Sequence, residues 1–132
     1  MKYKSINLNI ATQLYRSLSE ESRLRILSLI HNNGEMCGSD LELILDFTQT
    51  KTSRHLSYMK NAGFIKTQKH DQWIYYNIKE EFSGIINSLL SIIDKDALLE
   101  NDQEIFKTMY ANNSLAIRKL HNSQKRYTLP TL

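Results

Sequence analysis

The chain has 132 residues, with one cysteine, Cys37, and one proline, Pro130. A lone thiol excludes an intrachain disulfide or dithiol switch. With proline confined to the C-terminal end, nothing of that kind interrupts a helix before it. Glycine is scarce, four residues in all, and none forms a Gly-rich phosphate loop. No apolar run approaches the roughly 20 residues of a membrane span. The start, Met1 to Asn7, lacks the continuous apolar core of a signal peptide. These absences lead us to expect a cytoplasmic chain without membrane contact. There is no nucleophile motif and no cluster of metal ligands to activate water. The pairs Glu20-Glu21 and Glu80-Glu81 stand at expected helix starts, where the helix dipole accounts for them. A non-enzyme without a cofactor is expected, and at this length a single domain, residues 1–132.

One more scarcity points to function. Residues 48–79 contain six cations (Lys51, Arg54, Lys60, Lys66, Lys69, Lys79) and a single acid, Asp71, although the whole chain is only +3. Residues 80–104 reverse the balance, with seven carboxylates against Lys95. Positive charge concentrated on a nearly neutral chain is what phosphate binding requires.

The basic stretch opens on a helical pattern, residues 48–63, with one narrow apolar seam of Thr52, Leu56 and Met59. Thr50, Arg54, Ser57 and Asn61 fall on the far side, flanked by Lys51 and Tyr58. That face carries donors, acceptors and cations but no carboxylate, which suits the base edges and phosphates of the DNA major groove. Gly63 is placed to end the helix in a left-handed cap. The runs Phe64–Lys69 and Gln72–Ile78 then read as a hairpin, separated by His70-Asp71 without the usual Asn-Gly or Asp-Gly pair. A helix followed at once by a basic-tipped hairpin is the layout of a winged helix-turn-helix.

Upstream, Ser19-Glu20-Glu21 is expected to cap a helix bearing Leu24, Ile26, Leu27 and Ile30, ended by Asn32-Asn33-Gly34. Ser39-Asp40-Leu41-Glu42 has a capping-box pattern that would open a short helix from Leu41 to Phe47. The bi-helical unit is then residues 39–63. The expected fold is mainly α with a small β-hairpin wing.

The segments Leu14–Ser19, Arg23–Leu27, Glu35-Met36-Cys37, Ser53–Leu56, Asn61–Ile65 and Gln72–Tyr76 together resemble the ArsR/SmtB-type bacterial repressors, over about residues 10–80. The resemblance implies a homodimeric winged-helix repressor that leaves operator DNA when an effector binds. Carried onto this chain, the family's DNA contacts early in the recognition helix fall on Gln49, Thr50, Ser53 and Arg54. With the flanking and wing positions, the candidate DNA-binding set is Gln49, Thr50, Lys51, Ser53, Arg54, Ser57, Tyr58, Lys69, His70 and Gln72.

The resemblance also implies metal sites, and here the chain departs from it. Many members sense thiophilic metals through a Cys-x-Cys opening the positioning helix. Cys37 matches the first thiolate, but Ser39 stands in place of the second, and As(III) or Cd(II) takes two to four thiolates. Other members bind zinc through paired ligands in their C-terminal helices. His121, Asp102 and Glu104 do not have that spacing: Gln124 lies three residues after His121 and Tyr110 eleven before it. No metal site is expected. Cys37 remains either a small buried hydrophobe or a sensor thiol.

Apolar residues outside the winged helix suggest a second copy. Ile6, Ile10, Leu14 and Leu18 form one stripe, residues 81–99 form a broad apolar face, and a further amphipathic stretch follows a polar break at Glu100–Gln103. A winged helix of this size is not expected to bury all of it alone, so the excess is assigned to a dimer interface. The extra C-terminal stretch enlarges that interface or forms a ligand pocket. The implied division is an N-terminal dimerisation helix (1–18), the winged helix-turn-helix (19–80), C-terminal dimerisation helices (81–121) and a frayed tail (122–132). The implied partner is double-stranded DNA with an inverted repeat, and the effector is left open. Some winged helices dock proteins with the same surfaces. Apolar anchors on the reading face would mark that alternative, and Tyr58 is the one aromatic there.

Overall fold

A computed structural model describes the backbone of residues 6–128 and side chains through residue 125. Its elements run α1 (Leu8–Ser17), α2 (Glu21–Asn33), β1 (Met36–Cys37), α3 (Gly38–Leu45), α4 (Gln49–Asn61), β2 (Ile65–His70), β3 (Trp73–Ile78), α5 (Glu80–Ser91), α6 (Ala97–Ala111) and α7 (Ala116–Thr128).

The helix-turn-helix is α3, a three-residue turn and α4. Asp46 ends α3 in the left-handed region at φ 57°, and the Thr48 hydroxyl accepts from the Lys51 amide to start α4. At the other end of α4, Gly63 follows at φ +96° as expected, a conformation that costs a glycine little. The chain then enters the hairpin, whose register pairs His70 with Trp73 across Asp71-Gln72. Asp71 supplies the positive φ (56°) that a glycine would otherwise provide.

The sheet has three strands, not two. Met36 and Cys37 pair antiparallel with Tyr76 and Tyr75, giving the order β1-β3-β2. A two-residue strand leaves no periodicity, and only its partner reveals it.

Three caps differ from expectation. Glu20, not Ser19, caps α2: its carboxylate accepts from the Ser22 and Arg23 amides, while the Ser19 hydroxyl donates back to the Arg16 carbonyl. Against the upward push of burial, those two amides hold the Glu20 carboxyl below its ordinary value. Helix α3 begins at Gly38, earlier than the capping-box pattern suggests, and Ser39 lies inside it with its hydroxyl 3.4 Å from the Cys37 sulfur. Asp40 caps a different helix. Buried at 2% exposure, it accepts the Ala116 amide at 2.8 Å and the Ile117 amide at 2.9 Å, the first two of α7.

The C-terminal region departs furthest from the sequence reading. The break falls at residues 92–96, and Glu100–Gln103 lies within α6. Asp102 faces inward and takes a bidentate pair of hydrogen bonds from Arg25, both 2.9 Å. Residues 122–128, assigned above to a frayed tail, continue α7; 129–132 lie outside the described residues. Helix α6 packs on α2 and α3, and α7 on α3 and β1. Phe106, Leu115, Ala116 and Ile117 therefore join Ile26, Leu41, Met59, Phe64, Tyr75 and Ile86 in one core. Much of the apolar excess assigned to a partner is buried within the chain. Each fully buried Leu or Ile contributes about 1.5–3 kcal/mol. The stripe Ile6, Ile10, Leu14, Leu18 also packs on this core, leaving Leu8 and Tyr15 outward.

Candidate nucleic-acid interface

Helix α4 is half buried. Thr52, His55, Leu56 and Met59 face the core, while Gln49, Thr50, Ser53, Arg54 and Ser57 are exposed side by side. The inner face is held by more than apolar packing. The Thr52 hydroxyl donates to the Thr48 carbonyl within the helix. The buried His55 ring has Nδ1 3.4 Å from Arg23 and Nε2 3.6 Å from Glu20, both of α2 or its cap. Burial pushes the His55 imidazole below its ordinary pKa; Glu20 pulls it back up, and Arg23, Arg54 and Lys51 push it down further.

Two members of the expected set are restrained by neighbours. The Lys51 ammonium sits 4.0 Å over the Phe47 ring, and Tyr58, 39% exposed, lies under the Arg23 guanidinium at 4.2 Å. Such cation–π contacts contribute about 0.5–1 kcal/mol at exposed sites. Arg23 also donates to the Ser17 and Arg16 carbonyls at 2.8 and 3.1 Å. It thus joins the end of α1 to the outer edge of α4, a role no local pattern announced because its α4 partners, His55 and Tyr58, lie 32 and 35 residues away.

At the wing, Lys69 near the end of β2 and Gln72 in the turn are exposed. His70 folds back, its Nε2 3.6 Å from Glu35 and its ring 5.4 Å from Tyr75, so it is set apart from the other two. Between α4 and β3 runs a groove of about 250 Å³ lined by Gln49, Ser53, Gln72, Trp73, Ser39 and Cys37 among others. It brings four residues of interest (Gln49, Ser53, Gln72 and Cys37) from three separate segments to one place.

Cys37 is 1% exposed. Burial pushes its thiol pKa up, the Ser39 hydroxyl opposes, and the Asp40 carboxylate adds to the rise. A thiol is reactive as thiolate and when accessible. Cys37 is therefore expected to resist iodoacetamide in the native protein and to react fully in denaturant. Rapid native alkylation would contradict the buried placement. Among the described residues, no three His, Cys, Asp or Glu side chains converge as a metal site. His121 is engaged with the Tyr110 hydroxyl at 2.9 Å. No helix among the described residues is long and apolar enough to cross a membrane.

Helix α4 presented on a three-stranded wing defines a winged helix-turn-helix. A solved structure from Mycobacterium bovis, described as the homodimeric winged helix-turn-helix DNA-binding domain of Mb0332, aligns with a TM-score of 0.61 over 72% of this chain and 88% of that one, at 21% identity. Residues 20–67 match the family model of the bacterial regulatory protein, arsR family. The arsenic resistance transcriptional regulator ArsR2 of Pseudomonas putida is 30% identical over 107 residues, 81% of this chain and 85% of that protein. The arsenical resistance operon repressor of Bacillus subtilis is 32% identical over 91 residues, 68% and 87% of the two chains. This chain belongs to the ArsR family of bacterial regulatory proteins. It is a DNA-binding transcriptional regulator.

Proposed function

We propose that the protein is a homodimeric repressor that reads an inverted-repeat operator through α4 and the wing and leaves it when an effector binds. The observation that carries this is the outer face of α4. Gln49, Thr50, Ser53, Arg54 and Ser57 stand exposed without a carboxylate among them, beside a wing tipped by Lys69. The one aromatic of that face, Tyr58, has the Arg23 guanidinium over its ring, which weighs against a protein-docking version. The proposal includes a non-enzymatic role in the cytoplasm, with the division of the chain into reading head and dimerising helices. Leu8 and Ile92, 85% and 78% exposed, supply apolar surface on the N-terminal and C-terminal sides for a second copy. A twofold pair would set two α4 helices about 34 Å apart, one turn of DNA. Cys37, a single buried thiol with Ser39 beside it, offers a poor donor set for a thiophilic metal held by one chain, so no metal is assigned as the effector.

The test is selection of duplexes from a random pool by the full chain, then anisotropy across a salt series. A selected palindromic consensus bound with a steep salt dependence would support the proposal; no consensus would sink it. Arg54→Ala is expected to weaken binding to the selected duplex by about 1–3 kcal/mol and relax discrimination at one base position. Unchanged affinity would remove Arg54 from the reading set. Lys69→Ala should weaken all duplexes alike and reduce the salt slope by about 1. A loss confined to particular sequences would show that the wing reads bases.

A further inference from the structure

We propose that the α6–α7 hairpin sets the pose of the reading helix, with Asp102, Arg25 and Phe47 as positioning residues between them. The inference rests on the DNA-reading assignment above. Asp102 on α6 is 1% exposed, and both its oxygens are held by Arg25 of α2, from Nε and from Nη2, at 2.9 Å each. A bidentate fork fixes the orientation of the guanidinium plane as well as its distance. That guanidinium lies 5.2 Å over the ring of Phe47, in the turn between α3 and α4. The Lys51 ammonium, from the first turn of α4, lies 4.0 Å over the same ring. Asp102, Arg25 and Phe47 therefore connect a helix beyond the arsR-family match, which ends at residue 67, to Lys51 at the start of the reading helix.

The hairpin is seated firmly enough to exert this control. Asn33 and Gln103 exchange reciprocal amide hydrogen bonds at 2.8 and 2.7 Å, registering α6 along α2. The Asp40 carboxylate holds the start of α7 on α3. A displacement of α6 thus carries Arg25 with it. Without its anion, the guanidinium would turn to water, since a cation in a partly buried site needs a partner. Phe47 would lose the group over its ring, and Lys51 its fixed seat. A ligand or partner acting on α6 would reach the DNA-facing surface by this route without touching it.

The experiment compares the full chain with three variants on the duplex selected by the wild type and on a scrambled duplex of equal length, with thermal unfolding alongside. Asp102→Asn is expected to lower affinity for the selected duplex about tenfold and leave scrambled affinity and salt slope unchanged. Removing one partner of a buried pair also destabilises the fold, so the double variant Arg25→Met/Asp102→Leu removes both charges and restores packing. It is expected to melt near the wild type and still lose discrimination. Phe47→Leu, which keeps the ion pair, should show the same loss. A double variant as stable and as discriminating as the wild type would overturn the inference, and so would equal losses on both duplexes, which mark a merely structural role. Failure of the wild type to discriminate would overturn the DNA reading itself, so the two failures are distinguishable.

Discussion

Asp40→Ala is expected to lower the unfolding free energy by about 3–5 kcal/mol, read from urea denaturation of the full chain. The carboxylate is 2% exposed and accepts the first two amides of α7. Hydrogen bonds to a charged group contribute about 1.5–3 kcal/mol each, and alanine leaves both amides buried without an acceptor. The negative charge also faces the positive end of α7's dipole, which alanine forfeits. Asp40→Asn retains one acceptor oxygen but lacks the charge, so it should fall between the wild type and alanine. The loss ought to be local first: amide exchange at Ala116 and Ile117 should accelerate before that of the α2 core. An alanine variant with an unshifted denaturation midpoint would show that α7 is not held through this contact.

Arg23→Ala has the second largest expected effect, about 2–3 kcal/mol of stability with a loss of operator discrimination. Its guanidinium bonds two carbonyls at the end of α1, contacts His55 and covers Tyr58. The first two are charge-assisted bonds in a half-buried position, so we take the lower part of the usual range for each. Without Arg23, α1 loses its attachment to α4, and Tyr58 loses the cation over its ring. Arg23→Lys keeps the charge but not the fork, and should recover less than half the stability. Full recovery by lysine would mean that charge alone matters and the geometry does not.

The reading head was legible because its signals are local. Thr52, Leu56 and Met59 lie at helical spacing, and all three are buried. Gly63 sits one residue past the cap at positive φ, as its lack of Cβ allows. The hairpin showed in its β-branched and aromatic content, even though Asp71 replaces the usual glycine. Angle around the helix picks out Thr50, Arg54 and Ser57 with Lys51 and Tyr58 beside them, whereas Gln49 and Ser53 come from the family resemblance and Lys69, His70 and Gln72 from the hairpin. Angle separates exposed from buried but is silent on neighbours. Hence Lys51 and Tyr58 stood in the set without the partners that restrain them, Phe47 and Arg23. His70 stood in the set as a wing position, and only the sheet shows that Glu35 lies beside it.

The C-terminal half misled for the same reason. Glu100-Asn101-Asp102-Gln103 looks like a polar break because four polar residues in a row have no apolar period. In the fold, Asp102 and Gln103 are turned toward α2, where Arg25 and Asn33 satisfy them. Asp40 fitted a capping box for α3, yet its carboxylate serves a helix that begins 76 residues later. A buried polar group needs a partner, but the requirement does not say which one.

By itself, the sequence determined the elements whose cause lies within about one helical turn or one hairpin: the seam of α4, the turn into it, the wing and the basic patch they share. The tertiary structure alone decided where the C-terminal helices go, which carboxylates are buried, and that a large part of the apolar excess belongs to the chain's own core. The physical reason is the reach of each interaction. Helical periodicity and turn geometry act between neighbours along the chain, whereas a salt bridge or a cross-helix cap depends on where distant segments meet.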